Sequence, residues 1–293
     1  MASPTQGRAA LAFLAPAVLS LAVVGIVPLG FALWTSFQDY NLIDLDDAGF
    51  IGFANYTATL SDPVFWDALG RTLLLLAIAL PLQLALGLGI ALLLHRPGLG
   101  FLKTLTRLGL VLPMATTYAV VGLFGQVMFN LKYGVVNQII GWVGIAPVNW
   151  LGDSTMAFVT VIFWDVWQWT PFCALVFLAG LTTVPGEIEE AARLETKNPW
   201  TIVRHIQLPY LIPGFTALLI LRTADTLKLF DMVFTMTRGG PGTATEFISL
   251  LIQRIGFRTF DQGFASAQAV ILLIITIVLS RLYIRLFYRE VQS

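Results

Sequence analysis

The sequence predicts an all-α, polytopic membrane protein with six transmembrane helices, and three observations carry that prediction. Hydrophobic residues make up 57% of the 293 positions and charged residues only 12%, whereas an ordinary soluble domain carries about 25% charged residues. The mean hydropathy is +0.80. Apolar runs recur at 11–34, 72–94, 109–129, 156–181, 208–227 and 264–287, each long enough for the roughly 20 helical residues that cross about 30 Å of hydrocarbon.

Lys plus Arg numbers 17 and Asp plus Glu 17, for a formal net charge of zero. That balance argues against a nucleic-acid binder, and the apolar content argues against a soluble enzyme or a disordered chain. A single cysteine, Cys173, excludes an intrachain disulfide and a cysteine metal cluster. The two histidines, His95 and His205, offer little for a histidine metal centre, so no metal is expected.

The first run is too long for a signal-peptide core and is expected to be a retained span. Prolines at 16, 28, 81 and 113 are expected to kink their helices, because neighbouring protein can satisfy the freed carbonyls. The loop 36–70 contains Asp39, Asp44, Asp46, Asp47, Asp62 and Asp67 and neither Lys nor Arg, so it is expected outside the cytoplasm. Its aromatics, among them Phe50, Phe53 and Tyr56, suit a small cap on the bundle. Arg8, the His95–Arg96–Lys103–Arg107 group, the Arg193–Lys197–Arg204–His205 group and Arg281, Arg285 and Arg289 are expected in the cytoplasm with both termini. Alternation then leaves Lys228, Arg238, Arg254 and Arg258 outside. Between spans three and four, 133–151 has roughly helical apolar spacing with Trp142 and Trp150, which predicts a short interfacial helix.

The segment 185–209 reads differently from the spans. Pro185 and the acids Glu187, Glu189 and Glu190 open a helix in agreement with its dipole. Asn198-Pro199 breaks it, and a second, partly apolar helix follows and is expected to end before Leu208-Pro209. Glu190-Ala191-Ala192, then position 196, then Ile206-Gln207-Leu208-Pro209, resembles the EAA motif of the permease subunits of binding-protein-dependent ABC importers. The family pattern has glycine where this chain has Thr196, and usually aspartate where it has Glu195. Further likeness covers nearly the whole chain. Gly52-Phe53-Ala54-Asn55-Tyr56, Asp62-Pro63-Val64-Phe65-Trp66, Asn130 to Asn137, and Thr237-Arg238-Gly239-Gly240-Pro241-Gly242 resemble loops of MalF/UgpA-like carbohydrate permeases.

The resemblance implies an ABC type I importer permease fold, with 1–293 as one transmembrane domain, 185–209 as its cytoplasmic coupling segment and 36–70 as a periplasmic loop. It implies a second homologous permease, two copies of a cytoplasmic ABC ATPase, a periplasmic solute-binding protein and a sugar-class small molecule, in a bacterial inner membrane among lipid. It places ATP and Mg2+ on the ATPases and no cofactor on this chain. It assigns ATPase coupling to Glu190, Ala191, Ala192, Arg193, Leu194, Thr196, Ile206, Leu208 and Pro209. Independently, the chain has no Gly-x-x-x-x-Gly-Lys-Ser/Thr loop, and Gly239-Gly240-Pro241-Gly242 has the wrong spacing to replace one, so no enzyme activity of its own is expected.

The residues themselves point to a solute path. Asp165 lies mid-span, where an ionisable group is costly and faces the bundle interior or an aqueous cavity. Gln168 shares its helix face, and Trp164 and Trp167 flank it with surfaces on which a sugar ring can stack. Gln126, Asn130 and Tyr118 form a similar row on span three. The alternative for each is a hydrogen bond to another span. Arg222, Asp225 and Lys228 recur at spacing three, as either a helix-surface ion network or a charged mouth to the path. An ATP-independent carrier or channel is the competing class, and in it the 185–209 segment has no purpose.

Overall fold

The computed structural model describes residues 4–44, 49–96, 98 and 100–287, excluding the side chains of 4–12, 101–104 and 107. Asp46, Asp47 and Arg289, and the side chains of Arg8, Lys103 and Arg107, therefore lie outside the described residues. In chain order the elements are α1 (Pro4–Thr35), β1 (Gln38–Asp39), β2 (Gly49–Phe50), α2 (Ala54–Ser61), α3 (Pro63–His95), α4 (Gly100–Ala115), α5 (Tyr118–Met128), α6 (Val135–Trp142) and α7 (Ser154–Leu181). Then follow α8 (Gly186–Glu195), α9 (Pro199–Ile202), a π-helical turn (Val203–Gln207), α10 (Leu208–Leu227), α11 (Asp231–Met236), α12 (Ile248–Arg258) and α13 (Gln262–Phe287). Among the described residues five helices are long and apolar enough to cross a membrane, and a sixth span arises if one bent pair counts as one.

That bent pair corrects the expectation of a continuous helix over 109–129. Leu108–Ala115 and Tyr118–Met128 meet at 95°. Pro113 cannot donate to a carbonyl one turn back, and Thr117 turns extended at φ −71°, ψ 149°. The chain therefore breaks three residues beyond the proline. The fifth span is corrected in the opposite direction. The helix expected to stop before Leu208-Pro209 passes through it by way of the π turn and continues to Leu227. A proline within the first two positions of α10 needs no N–H there, so the wider turn before it carries the chain through without a break.

The chain divides into two compact units. In the first (Met1–Phe65 with Ile252–Ile274), none of the apolar window of α1 is buried, as expected for a helix apolar on every side. The predicted cap is a hairpin pairing Gln38 with Phe50 and Asp39 with Gly49, followed by α2. Phe37 packs against Phe53 and Tyr56 at 5.3 Å between centroids. Asn55 Nδ2 donates to the carbonyls of Ser36 and Gln38 at 3.1 and 2.9 Å, tying α2 to the hairpin.

The second unit (Trp66–Leu251 with Ile275–Ser293) holds two apolar clusters. Leu76, Leu80 and Leu84 of α3 pack with Ala174, Phe177 and Leu181 of α7 and Leu211 and Leu218 of α10. Leu75 and Ala79 join Val121 of α5, Val161 of α7 and Met232 and Val233 of α11. Lipid is as apolar as leucine, so these helices are held by close packing and polar contacts more than by escape from water. Gly87 shows the closeness required: a Cβ there would lie 2.6 Å from Cys173 Cβ, and α3 and α7 approach through the missing side chain. Gly122 does the same for α5 against Met232 and Thr235 of α11.

Candidate functional site

α8 has two faces of different character. Glu190, Ala191 and Leu194 are exposed, Leu194 at 90%, while Glu189 and Ala192 are each only 8% exposed. A helix advances about 100° per residue, so adjacent glutamates necessarily point in different directions. Glu189 turns inward. Its Oε1 lies 3.0 Å from His95 Nε2 at the end of α3 and accepts from Gln207 Nε2, at the end of the π turn, at 2.8 Å. Arg193 lies 3.6 Å from its other oxygen. Burial alone raises the Glu189 carboxyl, but the hydrogen bonds from Gln207 and His95 and the charges of His95 and Arg193 outweigh it and hold the group below the usual carboxylate range. A groove of about 340 Å³ beside α8 is lined by Glu187, Ile188, Ala191, Ala192, Glu195 and Ile206.

Thr196 ends α8 in the extended conformation, φ −137° and ψ 135°. This region suits a β-branched residue, so the glycine of the family pattern is not needed for the turn. Thr196 Oγ1 accepts from Asn198 N at 3.2 Å, and Asn198 Oδ1 from Trp200 N at 3.0 Å, which caps the following helix. Leu208 and Pro209 continue that helix into α10.

Asp165 is fully buried and joined to two other spans. Arg222 Nη2 donates to both its oxygens at 3.1 Å, and Gln83 Nε2 donates to Oδ2 at 2.7 Å. Gln83 Oε1 accepts in turn from Arg222 Nε at 3.0 Å, closing a three-residue ring between α3, α7 and α10. The Arg222 guanidinium lies 4.2 Å above the Trp169 ring, a cation–π contact. Arg222, 1% exposed, is thus neither a surface ion nor a solvent-facing mouth residue. Lys228 pairs with Asp225 at 3.6 Å, and Arg222 Nη1 lies 3.9 Å from Asp225.

Gln168 sits one turn further along α7 and donates to the carbonyl of Thr116 at 2.9 Å. It therefore satisfies a carbonyl that the break between α4 and α5 leaves open. Irregular backbone at membrane depth is tolerated only where protein or water supplies such a partner. Around this break Gln168 Oε1, Trp164 Nε1 and Trp169 Nε1 are buried without hydrogen-bond partners among the described residues. Tyr118 is close enough to Arg222 to interact with its charge. Trp164 is buried against Phe129 and Phe163, while Trp167 and Gln126 are exposed. Asn130 does not share a helix face with Gln126. It lies past the end of α5, where its Oδ1 accepts from the N–H groups of Lys132 and Tyr133 at 2.9 and 3.4 Å, a turn-forming role that asparagine commonly takes. The sequence motif did not single out Gln83 or Glu189. Both are polar residues whose partners lie far along the chain.

Residues 83–293 match the family described as the inner membrane component of binding-protein-dependent transport systems. The chain is 34% identical to the sulfoquinovosyl glycerol transport system permease SmoG of Agrobacterium fabrum, over 94% of this chain and 89% of the other. It is 31% identical to the trehalose/maltose permease MalF of Thermococcus litoralis, over 92% and 90%. Among solved structures, a chain of a bacterial ABC transporter that imports the acidic polysaccharide alginate superposes with a TM-score of 0.86 at 20% identity, over 98% of each chain, which shows the shared fold.

The buried ring yields the first prediction. Removing Arg222 alone leaves Asp165 charged and unpaired, at a cost of about 3–5 kcal/mol. Arg222→Met is expected to lower the thermal midpoint and purified yield, and Asp165→Leu with Arg222→Met to recover most of both. A double variant no better than the single one would remove Asp165 as the partner that matters.

Proposed function

The chain belongs to the family of inner membrane components of binding-protein-dependent transport systems, the permease subunits of ABC importers, and from that membership we propose that it forms, with a second homologous permease, the path for a sugar-class solute. Such a permease hydrolyses no ATP itself. Two cytoplasmic ATPases supply that step, with ATP and Mg2+ bound on them, and a periplasmic binding protein delivers the solute. Its place is the bacterial inner membrane, with both termini and α8 in the cytoplasm and the 36–70 loop outside. The observation that carries the reading is the outward face of α8, where Glu190, Ala191 and Leu194 of the EAA-like segment stand exposed on a helix whose other face is held by Glu189. Arg193, Thr196, Ile206, Leu208 and Pro209 frame that segment as its coupling region.

The sugar class draws on the relatives, whose names describe transport of sulfoquinovosyl glycerol and of trehalose and maltose. It also draws on the break between α4 and α5. The unpartnered Gln168 Oε1, Trp164 Nε1 and Trp169 Nε1 make a mixed set of acceptor and donors that sugar hydroxyls can satisfy, with the Tyr118 hydroxyl beside them. We place this seam on the solute path, with Asp165 holding Arg222 in position and Trp164, Trp167, Gln126 and Asn130 at its margins.

Three outcomes are expected. Glu190→Lys should leave the protein inserted but reduce co-purified ATPase roughly tenfold or more, by like-charge repulsion in a basic docking site, and abolish uptake. Normal values of both would remove Glu190 from coupling. Gln168→Ala should raise the solute concentration needed for half-maximal uptake per assembled complex, while the affinity of the isolated binding protein stays unchanged. Wild-type uptake per complex at every concentration would take Gln168 off the path. In a Cys173→Ser background, a membrane-impermeant thiol reagent should label Asp44→Cys in intact cells and spare Lys197→Cys. The reverse pattern would invert the proposed orientation.

A further inference from the structure

The inward face of α8 connects to the same helices as the buried ring. Glu189 grips His95, the last residue of α3, and Gln207, the last residue of the π turn that leads into α10. At membrane depth, α3 and α10 are joined again by Gln83 and Arg222. At 1.5 Å per residue these two nodes lie about 18 Å apart along α3 and about 22 Å apart along the α10 side. Between them, Leu84, Ala91 and Leu94 of α3 belong to one apolar cluster with Leu211 and Leu218 of α10. Two helices pinned at both ends with packed side chains between them move as a unit more readily than they shear.

The π turn adds a second feature. A single π turn within a longer helix is a register defect, and such turns occur often at functional positions. Here it places Gln207 inward at 6% exposure, with its amide nitrogen on Glu189. Its amide oxygen is buried without a partner. The grip is therefore incomplete on the Gln207 side, as expected of a contact that has more than one arrangement.

We propose that Glu189 is the positioning residue that transmits displacement of α8 to α3 and α10, with the π turn Val203–Gln207 as the hinge. This rests on the importer reading above and divides the labour of the segment. Glu190, Ala191 and Leu194 meet the ATPase, and Glu189 passes the motion inward.

The test uses the complex of both permeases with the ATPases in lipid nanodiscs, so that both faces are accessible. A reporter cysteine is placed at Gln126 in a Cys173→Ala background, and its rate of reaction with a soluble maleimide is measured without nucleotide and with ATP and vanadate. In the otherwise unaltered complex, nucleotide trapping should change the rate roughly fivefold or more. In Glu189→Ala and in Gln207→Leu the ATPases should remain bound and trap nucleotide at the unaltered ratio, while the reporter response disappears. If either variant retains the full reporter response, the proposal is overturned. It is also overturned if both variants shed the ATPases as Glu190→Lys is expected to, since Glu189 would then serve docking. Should Glu189→Ala fail to accumulate, Gln207→Leu decides alone, because it leaves α8 unaltered. An unaltered complex that binds no ATPase, or shows no nucleotide response, sinks the importer reading and this proposal together.

Discussion

Arg222 is the constraint on which the membrane part of the second unit depends. An arginine at membrane depth is costly, and the cost is met only by partners that remain in place. Here they come from two other spans: both oxygens of Asp165 on α7 and the amide oxygen of Gln83 on α3. Gln83 closes the ring by donating to Asp165. Moving any one of the three helices breaks at least two of these bonds. In a medium that gives no hydrophobic reason for helices to associate, such a ring specifies which spans meet and at what height. The glycine at 87 and the aliphatic cluster around it can then pack closely, because the ring has already set the register.

The same three helices define the surroundings of the broken span. α7 carries Asp165 into the ring and, one turn later, Gln168 to the open carbonyl of Thr116. The break between α4 and α5 is therefore anchored to the helix that the ring holds. Polar atoms without protein partners collect at that anchor, and α8 follows the end of α7 after a connection of four residues. The ring, the proposed solute seam and the proposed coupling segment thus follow one another along α7 and its extension, which suits rocking between two discrete arrangements more than gradual deformation.

Hydrophobic length made the spans legible in the sequence, and the motif register made α8 legible. Boundaries agree closely where a span ends in polar residues: 156–181 was expected and Ser154–Leu181 is found. The failures share a cause. Pro113 predicts a kink, but a 95° break needs a donor from another span for the freed carbonyl, and nothing local to Thr116 reveals Gln168. Spacing groups Arg222 with Asp225 and Lys228, yet its main partners are 57 and 139 residues away. Glu189 and Glu190 are adjacent and chemically identical, so only the direction in which α8 faces the bundle separates them. Asn130 followed a helical spacing that ended before it, because its side chain favours a turn. Pattern along the chain reports helices, and pairing across the bundle is what it leaves out.

Charge bookkeeping within the seam bears on what it can recognise. Asp165 and Arg222 neutralise one another at 3.1 Å, and Asp225 and Lys228 do so at 3.6 Å. The four groups sum to zero, and the guanidinium face not used by the ring lies on Trp169. With no net charge, the cluster provides no net pull on an anion. What remains is directional: Trp164 Nε1 and Trp169 Nε1 as donors and Gln168 Oε1 as an acceptor, each buried and unmatched among the described residues. Leaving such groups unmatched costs about 1–3 kcal/mol apiece, and a solute bearing hydroxyls at the right spacing recovers that cost whereas an apolar one cannot. On the proposed solute path, selectivity would therefore come from the pattern of hydrogen bonds, with the buried ring holding the pattern still.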